Sequence, residues 1–277
     1  MELLAPAKIN LTLTVKGRRD DGFHEIESLV CPISLSDTVA IEVPDAGGLE
    51  FTCDDPTLPT DGSNLVVRAA QLFFANIRRE PRVRIALTKR IPHGAGLGGG
   101  SSDAATALLG LDQVFETRLG LPALSAMAAE LGSDVPLFLH RSAALVRGRG
   151  EVVEPIAFPN TLPLLLIKPT FGVPTPWAYR QWRDSREIPG ISYAPQQFDW
   201  GALHNDLERP VFEKYLFLAV LKRWLLEQAE VAGALMSGSG ATVFAVLREK
   251  DASPALIGRL KAEFGEDLWL CPAETVG

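Results

Sequence analysis

A glycine-rich loop is the segment whose residue types and spacing most directly suggest chemistry. Five glycines fall within residues 94–100, between a strand predicted over 82–88 and a helix predicted over 102–115. Glycine permits positive φ and leaves no Cβ between the backbone and a ligand. The first turn of the following helix offers unpaired N–H groups and the positive end of the helix dipole. The loop therefore predicts a phosphate-binding site, to which Ser101 and Ser102 add hydroxyls.

Three nucleotide-binding patterns can be compared with this loop. A Walker A loop needs lysine where Gly100 stands, so that pattern fails. The dinucleotide pattern GxGxxG is met by Gly94, Gly96 and Gly99 between a strand and a helix, so a dinucleotide-dependent oxidoreductase stays open as an alternative. The VAIK, HRD and DFG elements of protein kinases do not occur. A tight structural turn that binds no ligand also stays open.

Four polar side chains outside the loop stand at informative positions. Lys8 and Asn10 lie two residues apart in the alternating segment KINLTLTV, so on a strand they face the same side. Asn64 and Asp134 each precede a predicted helix, where either residue is a favoured N-cap. These positions allow structural roles as well as contacts with a ligand.

The elements around these residues indicate an α+β protein with antiparallel strand pairing, because strand and helix runs alternate irregularly. Strands are predicted over 8–15, 25–34, 38–43, 82–88, 143–147, 162–168 and 242–247 and near residue 268, and helices over 64–77, 102–115, 122–131, 174–182, 211–230 and 254–264. Residues 184–199 are rich in Pro, Ser, Gly and Gln and are expected to form an exposed loop. We divide the chain into an N-terminal lobe, residues 1–155, and a C-terminal lobe, residues 156–277.

Composition narrows the class of protein. The 277 residues are 47% hydrophobic and 22% charged, which is ordinary globular usage. A net charge of −7 argues against a nucleic-acid partner, because phosphate backbones attract clustered positive charge. No apolar run approaches the roughly 20 residues of a membrane span, and the first residues lack the apolar core of a signal peptide. Three scattered cysteines without a CxxC pair fit a reducing cytoplasm.

Five segments together resemble the GHMP kinases, the family of galactokinase, homoserine kinase, mevalonate kinase and phosphomevalonate kinase. Residues 92–102, PHGAGLGGGSS, are similar to the signature loop of that family. The longer form GLGGGSSDAA resembles a narrower branch, which acts on an alcohol that carries cytidine diphosphate in the non-mevalonate isoprenoid pathway. Further resemblances lie at residues 5–11, 20–24, 132–138 and 237–241, in the order expected for that branch.

The resemblance implies a two-lobed fold with the active site in the cleft between the lobes. ATP and Mg²⁺ would be used, with Asp134 as the base near the substrate hydroxyl and Lys8 as its partner. The nucleotide would be bound by Asn64 and the loop residues Pro92, His93, Gly94, Ala95, Gly96, Leu97, Gly98, Gly99, Gly100, Ser101 and Ser102. The substrate would be bound by Asn10, Phe23, His24, Thr175 and Tyr179. No protein ligand of the magnesium is matched.

Some residues depart from the family pattern, and other functions stay open. His93 stands where this branch often has an apolar residue, and Phe23 lacks a phenolic hydroxyl found in some relatives. Trp177 and Trp182 are predicted to lie in the core. Another GHMP kinase substrate, such as homoserine or a mevalonate-type alcohol, and a nucleotide-binding protein without activity are both open alternatives. We expect a monomer or a weak homodimer whose partner is a small molecule.

Overall fold

The computed structural model describes residues 1–276 as two β-sheets with helices packed around them. The strands are β1 (Glu2–Asn10), β2 (Thr12–Arg18), β3 (His24–Glu42), β4 (Gly48–Cys53), β5 (Arg82–Thr88), β6 (Ala144–Gly148), β7 (Val152–Pro155), β8 (Pro163–Lys168), β9 (Gln196–Phe198), β10 (Gly201–Asn205), β11 (Val231–Met236), β12 (Val243–Leu247) and β13 (Trp269–Glu274). The helices are α1 (Leu65–Ile77), α2 (Gly99–Val114), α3 (Gly120–Leu131), α4 (Val135–Leu139), α5 (Thr175–Gln181), α6 (Glu208–Lys214), α7 (Leu216–Leu226) and α8 (Ser253–Phe264). The predicted α+β class is confirmed.

The larger sheet is organised around β3, a strand of 19 residues. This strand pairs antiparallel with β1, β2, β5 and β6, while β4 adds to β5 in parallel. The sequence suggested separate strands over 25–34 and 38–43, but the backbone stays extended through the residues between them. Because β3 is one long strand, it can pair with both β1 and β5.

The same sheet takes two strands from the second half of the chain. β10 pairs in parallel with β2, where the His204 N–H donates to Leu11 O at 3.0 Å and the Asp206 N–H donates to Leu13 O at 2.9 Å. β9 then pairs antiparallel with β10 at the edge. The smaller sheet has the order β11-β12-β8-β13 and is antiparallel throughout. The division of the chain after residue 155 stays a prediction.

Apolar side chains form three clusters that follow these layers. The first packs α1, α2 and α3 on the larger sheet, and it includes Phe73 and Leu108, which are fully buried. The second packs α6, α7 and α8 on the smaller sheet and reaches Leu13 on β2. The third lies between the two sheets, where Ile9 and Phe244 are fully buried. Continuous apolar packing therefore links the segments that carry the predicted site.

Local sequence explains where two of the site-bearing helices begin. Asn64 is the N-cap of α1, and its Oδ1 accepts a hydrogen bond from the Val66 N–H at 2.9 Å. Gly98 stands before α2 with φ of 72°, a conformation that glycine adopts without strain. The glycine loop thus runs directly into the first turn of α2.

One helix prediction is wrong. The helix predicted over 211–230 is two helices, α6 and α7, separated at Tyr215, whose φ of −111° and ψ of 67° are not helical. The apolar periodicity continues across the break because both helices pack on the same sheet, so the pattern hid the break. Among residues 1–276, no helix combines the length and apolarity required to cross a bilayer.

Candidate active site

A cleft of about 1610 Å³ opens beside the glycine loop. Its walls come from distant parts of the chain: β1, β3, the loop before α2, the start of α4, helix α5 and the turn over residues 237–240. Most of the residues predicted to act on ligands line this cleft, namely Lys8, Asn10, Phe23, His24, Asn64, residues 92–101, Asp134, Thr175 and Tyr179. The fold therefore brings together residues up to 171 positions apart, from Lys8 to Tyr179.

Ser102 is the predicted nucleotide-binding residue that does not line the cleft. Its side chain is fully buried in the first turn of α2, and its Oγ has no hydrogen-bond partner. The turn of the helix carries Ser102 inward, whereas the preceding Ser101 faces the cleft. Helix geometry, which places neighbouring residues about 100° apart, explains why two adjacent serines differ.

The glycine loop is held against residues 237–242 by hydrogen bonds to its backbone carbonyls. The Ser237 hydroxyl donates to Gly96 O at 3.0 Å, and the Thr242 N–H donates to Ala95 O at 3.2 Å. A Cβ on Gly96 would lie only 2.3 Å from Ser237 O, and φ is 75° at this residue. Gly96 is therefore required by close backbone approach, and any side chain there would separate the loop from the turn.

Lys8 lies at the base of the cleft with 5% of its surface exposed. Its ammonium donates to Asn10 Oδ1 at 2.6 Å, and its backbone N–H donates to Leu97 O in the glycine loop at 3.0 Å. Burial lowers the pKa of the Lys8 ammonium below the usual lysine value, and the negative charge of Asp134 opposes that shift. The ammonium therefore has an amide oxygen as its hydrogen-bond acceptor and Asp134 as the opposite charge across the cleft.

Asp134 stands at the start of α4, exposed to the cleft. Its backbone occupies the N-cap position, yet its side chain makes no capping hydrogen bond. The carboxylate and Lys8 interact electrostatically without forming a direct salt bridge. The helix-cap alternative therefore does not account for this side chain, whose carboxylate faces the cleft.

Aromatic rings form one wall of the cleft. The His24 ring lies 5.4 Å from the Tyr179 ring at 30°, and 6.4 Å from the Trp182 ring at 80°. Burial, followed by the charge of Arg18, lowers the pKa of His24, which favours the neutral imidazole. Burial, followed by the charge of Asp134, raises the pKa of the Tyr179 phenol. These groups present stacking faces and uncharged hydrogen-bonding edges.

The sequence did not indicate a place in the cleft for two residues at this wall. Trp182 packs against the second apolar cluster, in line with its predicted core position, but it also lines the cleft and contacts His24. Its position three residues after Tyr179 is the signal that could have found it, because side chains at that spacing share a helix face. Arg149 also lines the cleft, with its guanidinium carbon 5.0 Å from the centroid of the Phe23 ring, and no motif pointed to it.

Helix α5 and the 237–240 turn meet through two hydroxyl groups. Thr175 Oγ1 and Ser239 Oγ are hydrogen-bonded at 2.7 Å, and both residues line the cleft. The turn is fixed from behind by Asn205, whose amide donates to Met236 O at 2.7 Å and to Gly238 O at 2.8 Å. The sequence analysis did not single out Asn205, since an asparagine after a strand carries no distinctive spacing.

A charged cluster beneath the glycine loop was also missed. The Lys89 ammonium donates to Asp37 and to Asp103 Oδ2, the latter at 2.7 Å. Asp37 in turn accepts hydrogen bonds from the backbone N–H groups of Arg90 and Ile91, at the start of the loop. Burial, opposed by Lys89, raises the pKa of Asp103 to about 7, and the charge of Asp37 adds to that rise. The cluster ties β3, the glycine loop and α2 together.

Comparison with known proteins relates this fold and cleft to characterised families. Residues 64–142 match the GHMP kinases N terminal domain, and residues 196–266 match the GHMP kinases C terminal domain. The 4-diphosphocytidyl-2-C-methyl-D-erythritol kinase of Methylacidiphilum infernorum (isolate V4) is 43% identical over 270 residues, covering 96% of this chain and 93% of the relative.

Solved structures give the same relationship. A crystal structure of 4-(cytidine 5'-diphospho)-2C-methyl-D-erythritol kinase superposes with a TM-score of 0.82 at 37% identity, covering 100% of both chains. A homoserine kinase from Cytophaga hutchinsonii ATCC 33406 shares the fold, with a TM-score of 0.66 at 19% identity over 100% of this chain and 94% of that chain.

The fold and the cleft define a two-lobed small-molecule kinase. Its glycine loop, its cleft-facing carboxylate and its buried lysine are arranged around one continuous site. The chain belongs to the GHMP kinase family, and within it to the branch of the 4-diphosphocytidyl-2-C-methyl-D-erythritol kinases.

Proposed function

We propose that this protein transfers the γ-phosphoryl group of ATP to the 2-hydroxyl of 4-diphosphocytidyl-2-C-methyl-D-erythritol. The products are the 2-phosphate and ADP, and the step belongs to the non-mevalonate pathway of isoprenoid precursor synthesis. The observation that carries the proposal is one cleft in which Lys8 and Asp134 lie between a phosphate-binding loop and an aromatic wall. Relatives over the full length of the chain bear the name of this activity.

Asp134 and Lys8 have different roles in the proposed reaction. Phosphoryl transfer depends on positioning and on positive potential at the phosphates more than on covalent chemistry by the protein. We assign the Asp134 carboxylate to accept the proton of the substrate hydroxyl, because it is exposed to the cleft and makes no capping bond. The Lys8 ammonium, which interacts electrostatically with Asp134, stabilises negative charge on the transferred group.

The nucleotide would occupy the glycine loop and the start of α2. Gly94, Gly96 and Gly98 have positive φ values of 63°, 75° and 72°, which shape the backbone around a phosphate chain. We assign residues 92–101 to the ATP phosphates and Asn64 to the adenosine side of the site. Ser102 supports the helix turn from inside rather than contacting ATP directly, because its side chain is fully buried.

The other end of the cleft suits a cytidine diphosphate. Stacking of a base on an aromatic ring contributes roughly 1–3 kcal/mol, and the rings of His24 and Tyr179 provide such faces. Phe23 lies beside them with Arg149 over its ring, and this guanidinium supplies positive charge for the diphosphate. We assign Asn10 and Thr175, which also line the cleft, to the erythritol part of the substrate.

Magnesium belongs to the proposal as part of the nucleotide complex. Mg²⁺ usually keeps several waters and is held by substrate phosphates with one or two carboxylates. Within residues 1–276, no group of three His, Cys, Asp or Glu side chains is placed to hold a metal ion. Asp103 Oδ1 lacks a hydrogen-bond partner, but the other oxygen of that carboxylate binds the Lys89 ammonium, which disfavours a second cation there. We therefore assign the ion chiefly to the nucleotide phosphates.

Cellular setting and partners follow from the same chemistry. We place the protein in the cytoplasm, because Cys31, Cys53 and Cys271 are all free thiols. Its partner is a small molecule rather than a nucleic acid, since the chain carries a net charge of −7. We propose a monomer or a weak homodimer.

The experiment that tests this function measures ADP release from ATP and Mg²⁺ with three alcohols in parallel: the cytidyl diphosphate substrate, homoserine and mevalonate. We expect release only with the first. Asp134→Asn should lower kcat by ~10²–10⁴-fold while ATP still binds, because the general base is lost. Release with homoserine or mevalonate alone would overturn the substrate assignment, and near-normal turnover by the Asp134 variant would overturn the base.

A second variant tests the cytosine pocket. His24→Ala should raise the KM for the cytidyl diphosphate about tenfold with little change in kcat, as expected when uniform binding is lost. His140→Ala is the matched control, since His140 is a histidine that does not line the cleft. An unchanged KM in the His24 variant would remove this residue from the substrate site.

A further inference from the structure

Ser28 lies on β3 directly behind the pair formed by Lys8 and Asn10. On neighbouring strands Asn10 is paired with Val30, so a residue two positions from Val30 shares its face with Asn10. Alternation along the two strands therefore places Lys8, Asn10 and Ser28 on the cleft face, and all three line the cleft. Ser28 is 1% exposed, so its hydroxyl must find its partners within the protein.

The hydrogen bonds of Ser28 have only one consistent direction. A serine hydroxyl carries one hydrogen and can accept through its lone pairs. Its hydrogen goes to Thr12 O, a backbone carbonyl that can only accept. The Ser28 oxygen is then left to accept from Asn10 Nδ2, at 2.8 Å. With its NH₂ group committed to Ser28, the Asn10 amide must turn its oxygen toward Lys8, where the distance is 2.6 Å.

We propose that Ser28 is a positioning residue that fixes the orientation of the Asn10 amide and, through it, the ammonium of Lys8. The chain of contacts runs from Thr12 O through Ser28 and Asn10 to Lys8 without a gap. Ser28 does not touch the reacting atoms and acts only through its neighbours. This inference rests on the proposed function, because it assigns a purpose to Lys8 in that reaction.

The orientation of the amide matters because Lys8 has few other partners. The charged group that faces it is Asp134 at the start of α4, and the Tyr179 phenol on α5 lies near that carboxylate. The glycine loop and the 237–240 turn approach Lys8 with glycines and backbone at Leu97, Gly98 and Gly238. A reversed Asn10 amide would direct N–H dipoles at the ammonium and favour its neutral form.

The test compares Ser28→Thr with Ser28→Val. These two side chains have nearly the same shape and differ by a hydroxyl, so the pair isolates the hydrogen bond from the packing. Threonine should retain kcat within about twofold of wild type. Valine should lower kcat about tenfold with an unchanged KM for ATP, and should move the basic limb of the kcat–pH profile about one unit lower, since a bond to the ammonium is lost.

A second measurement does not depend on turnover. The pKa of Lys8 can be followed by the ¹³Cε chemical shift in lysine-labelled protein, with the Lys8 signal identified by its absence from Lys8→Arg. We expect a lower Lys8 pKa in Ser28→Val and the wild-type value in Ser28→Thr. If valine does not fold at this position, the smaller Ser28→Ala serves in both measurements.

The outcomes separate this inference from the proposed function. Absence of turnover by the wild-type protein with the cytidyl diphosphate would overturn the proposed function. Normal wild-type turnover, together with an unchanged pH profile and an unchanged Lys8 pKa in Ser28→Val, would overturn the positioning role alone. A shift shared equally by threonine and valine would also overturn it, because the hydroxyl would then be irrelevant.

Discussion

Two buried lysines beside the glycine loop, Lys8 and Lys89, have opposite surroundings. Lys89 lies between the carboxylates of Asp37 and Asp103, and these neighbours raise the pKa of its ammonium although burial opposes the rise. Lys8 binds only the amide oxygen of Asn10 at 2.6 Å, and burial lowers its pKa. The two side chains are alike in type and burial but differ in how their charge is compensated.

The difference separates a lysine whose charge is neutralised within the fold from a lysine whose charge is left facing the cleft, as the role that we propose for Lys8 requires. The charge of Lys89 is neutralised in the folded protein, so its contacts fix β3, α2 and the loop before any nucleotide arrives. The charge of Lys8 is left without a direct counterion at hydrogen-bonding distance, which costs stability but provides positive potential in the cleft. Four variants test whether the two lysines differ in this way.

The largest effect is expected from Lys8→Met. Methionine keeps much of the length and apolar volume of lysine but removes the charge, so kcat should fall by ~10²–10³-fold. The melting temperature should stay the same or rise, because a desolvated cation is removed from the interior. Steady-state kinetics and thermal unfolding of the same preparation measure both effects. A large loss of stability would contradict the comparison, because Lys8 would then stabilise the fold as Lys89 does.

Lys89→Met should have the opposite effects, a large loss of stability and a small loss of kcat. Removing the ammonium leaves Asp37 and Asp103 buried and close together without a cation, which should lower the free energy of unfolding by about 3–5 kcal/mol. Below its lowered melting temperature, the variant should keep a kcat within about tenfold of wild type. Urea denaturation provides the measurement, and a midpoint equal to that of wild type would show that the cluster does not stabilise the fold.

Asp103→Asn should change how stability depends on pH. In the folded protein this carboxyl keeps its proton up to about pH 7, whereas in the unfolded chain it releases the proton near the ordinary value of 3.8. Between these values the unfolded state binds fewer protons, so the contribution of Asp103 to stability is lost as pH rises. In Asp103→Asn the free energy of unfolding should therefore fall less steeply between about pH 4 and pH 7. The ion pair between Lys89 and Asp37 is retained in this variant. Unfolding in urea at stepped pH measures it, and parallel curves would contradict it.

The smallest effect is expected at an exposed lysine. Lys250 forms a 2.7 Å ion pair with Glu274, but 75% of the lysine side chain is exposed, so water screens the interaction. Lys250→Met should leave the melting temperature within about one degree of wild type and leave kcat unchanged. A larger shift would mean that pairing, rather than burial, decides what a lysine contributes in this protein.

The sequence was sufficient for the parts of the site that local spacing encodes. The glycine loop, the N-cap at Asn64 and the shared face of Lys8 and Asn10 follow from rules that span a few residues. The family resemblance supplied the long-range link to Asp134, which no local rule could give. The predicted α+β class was right for the same reason, since strands and helices were mostly recognised by their own periodicity.

Residues that matter through tertiary contacts were not predictable in this way. Ser28, Asn205 and Lys89 stand in strands or loops without a distinctive spacing, and the contacts that link them to the site reach partners 14 or more positions away, such as Asn10, Met236 and Asp103. The break at Tyr215 was hidden because α6 and α7 bury their apolar faces on one sheet. Burial and partner identity become visible only when the strands are placed side by side.

The pairing of β10 with β2 has a consequence for how such kinases can recombine. A five-residue strand from the second half of the chain extends the sheet of the first half, and the asparagine that ends it anchors the turn beside Lys8. A hybrid gene joined near residue 155 would combine β2 from one parent with β10 from another. We expect such hybrids to remain active only when the residues of β2 from one parent are compatible with those of β10 from the other. The two halves of the gene should therefore be inherited together.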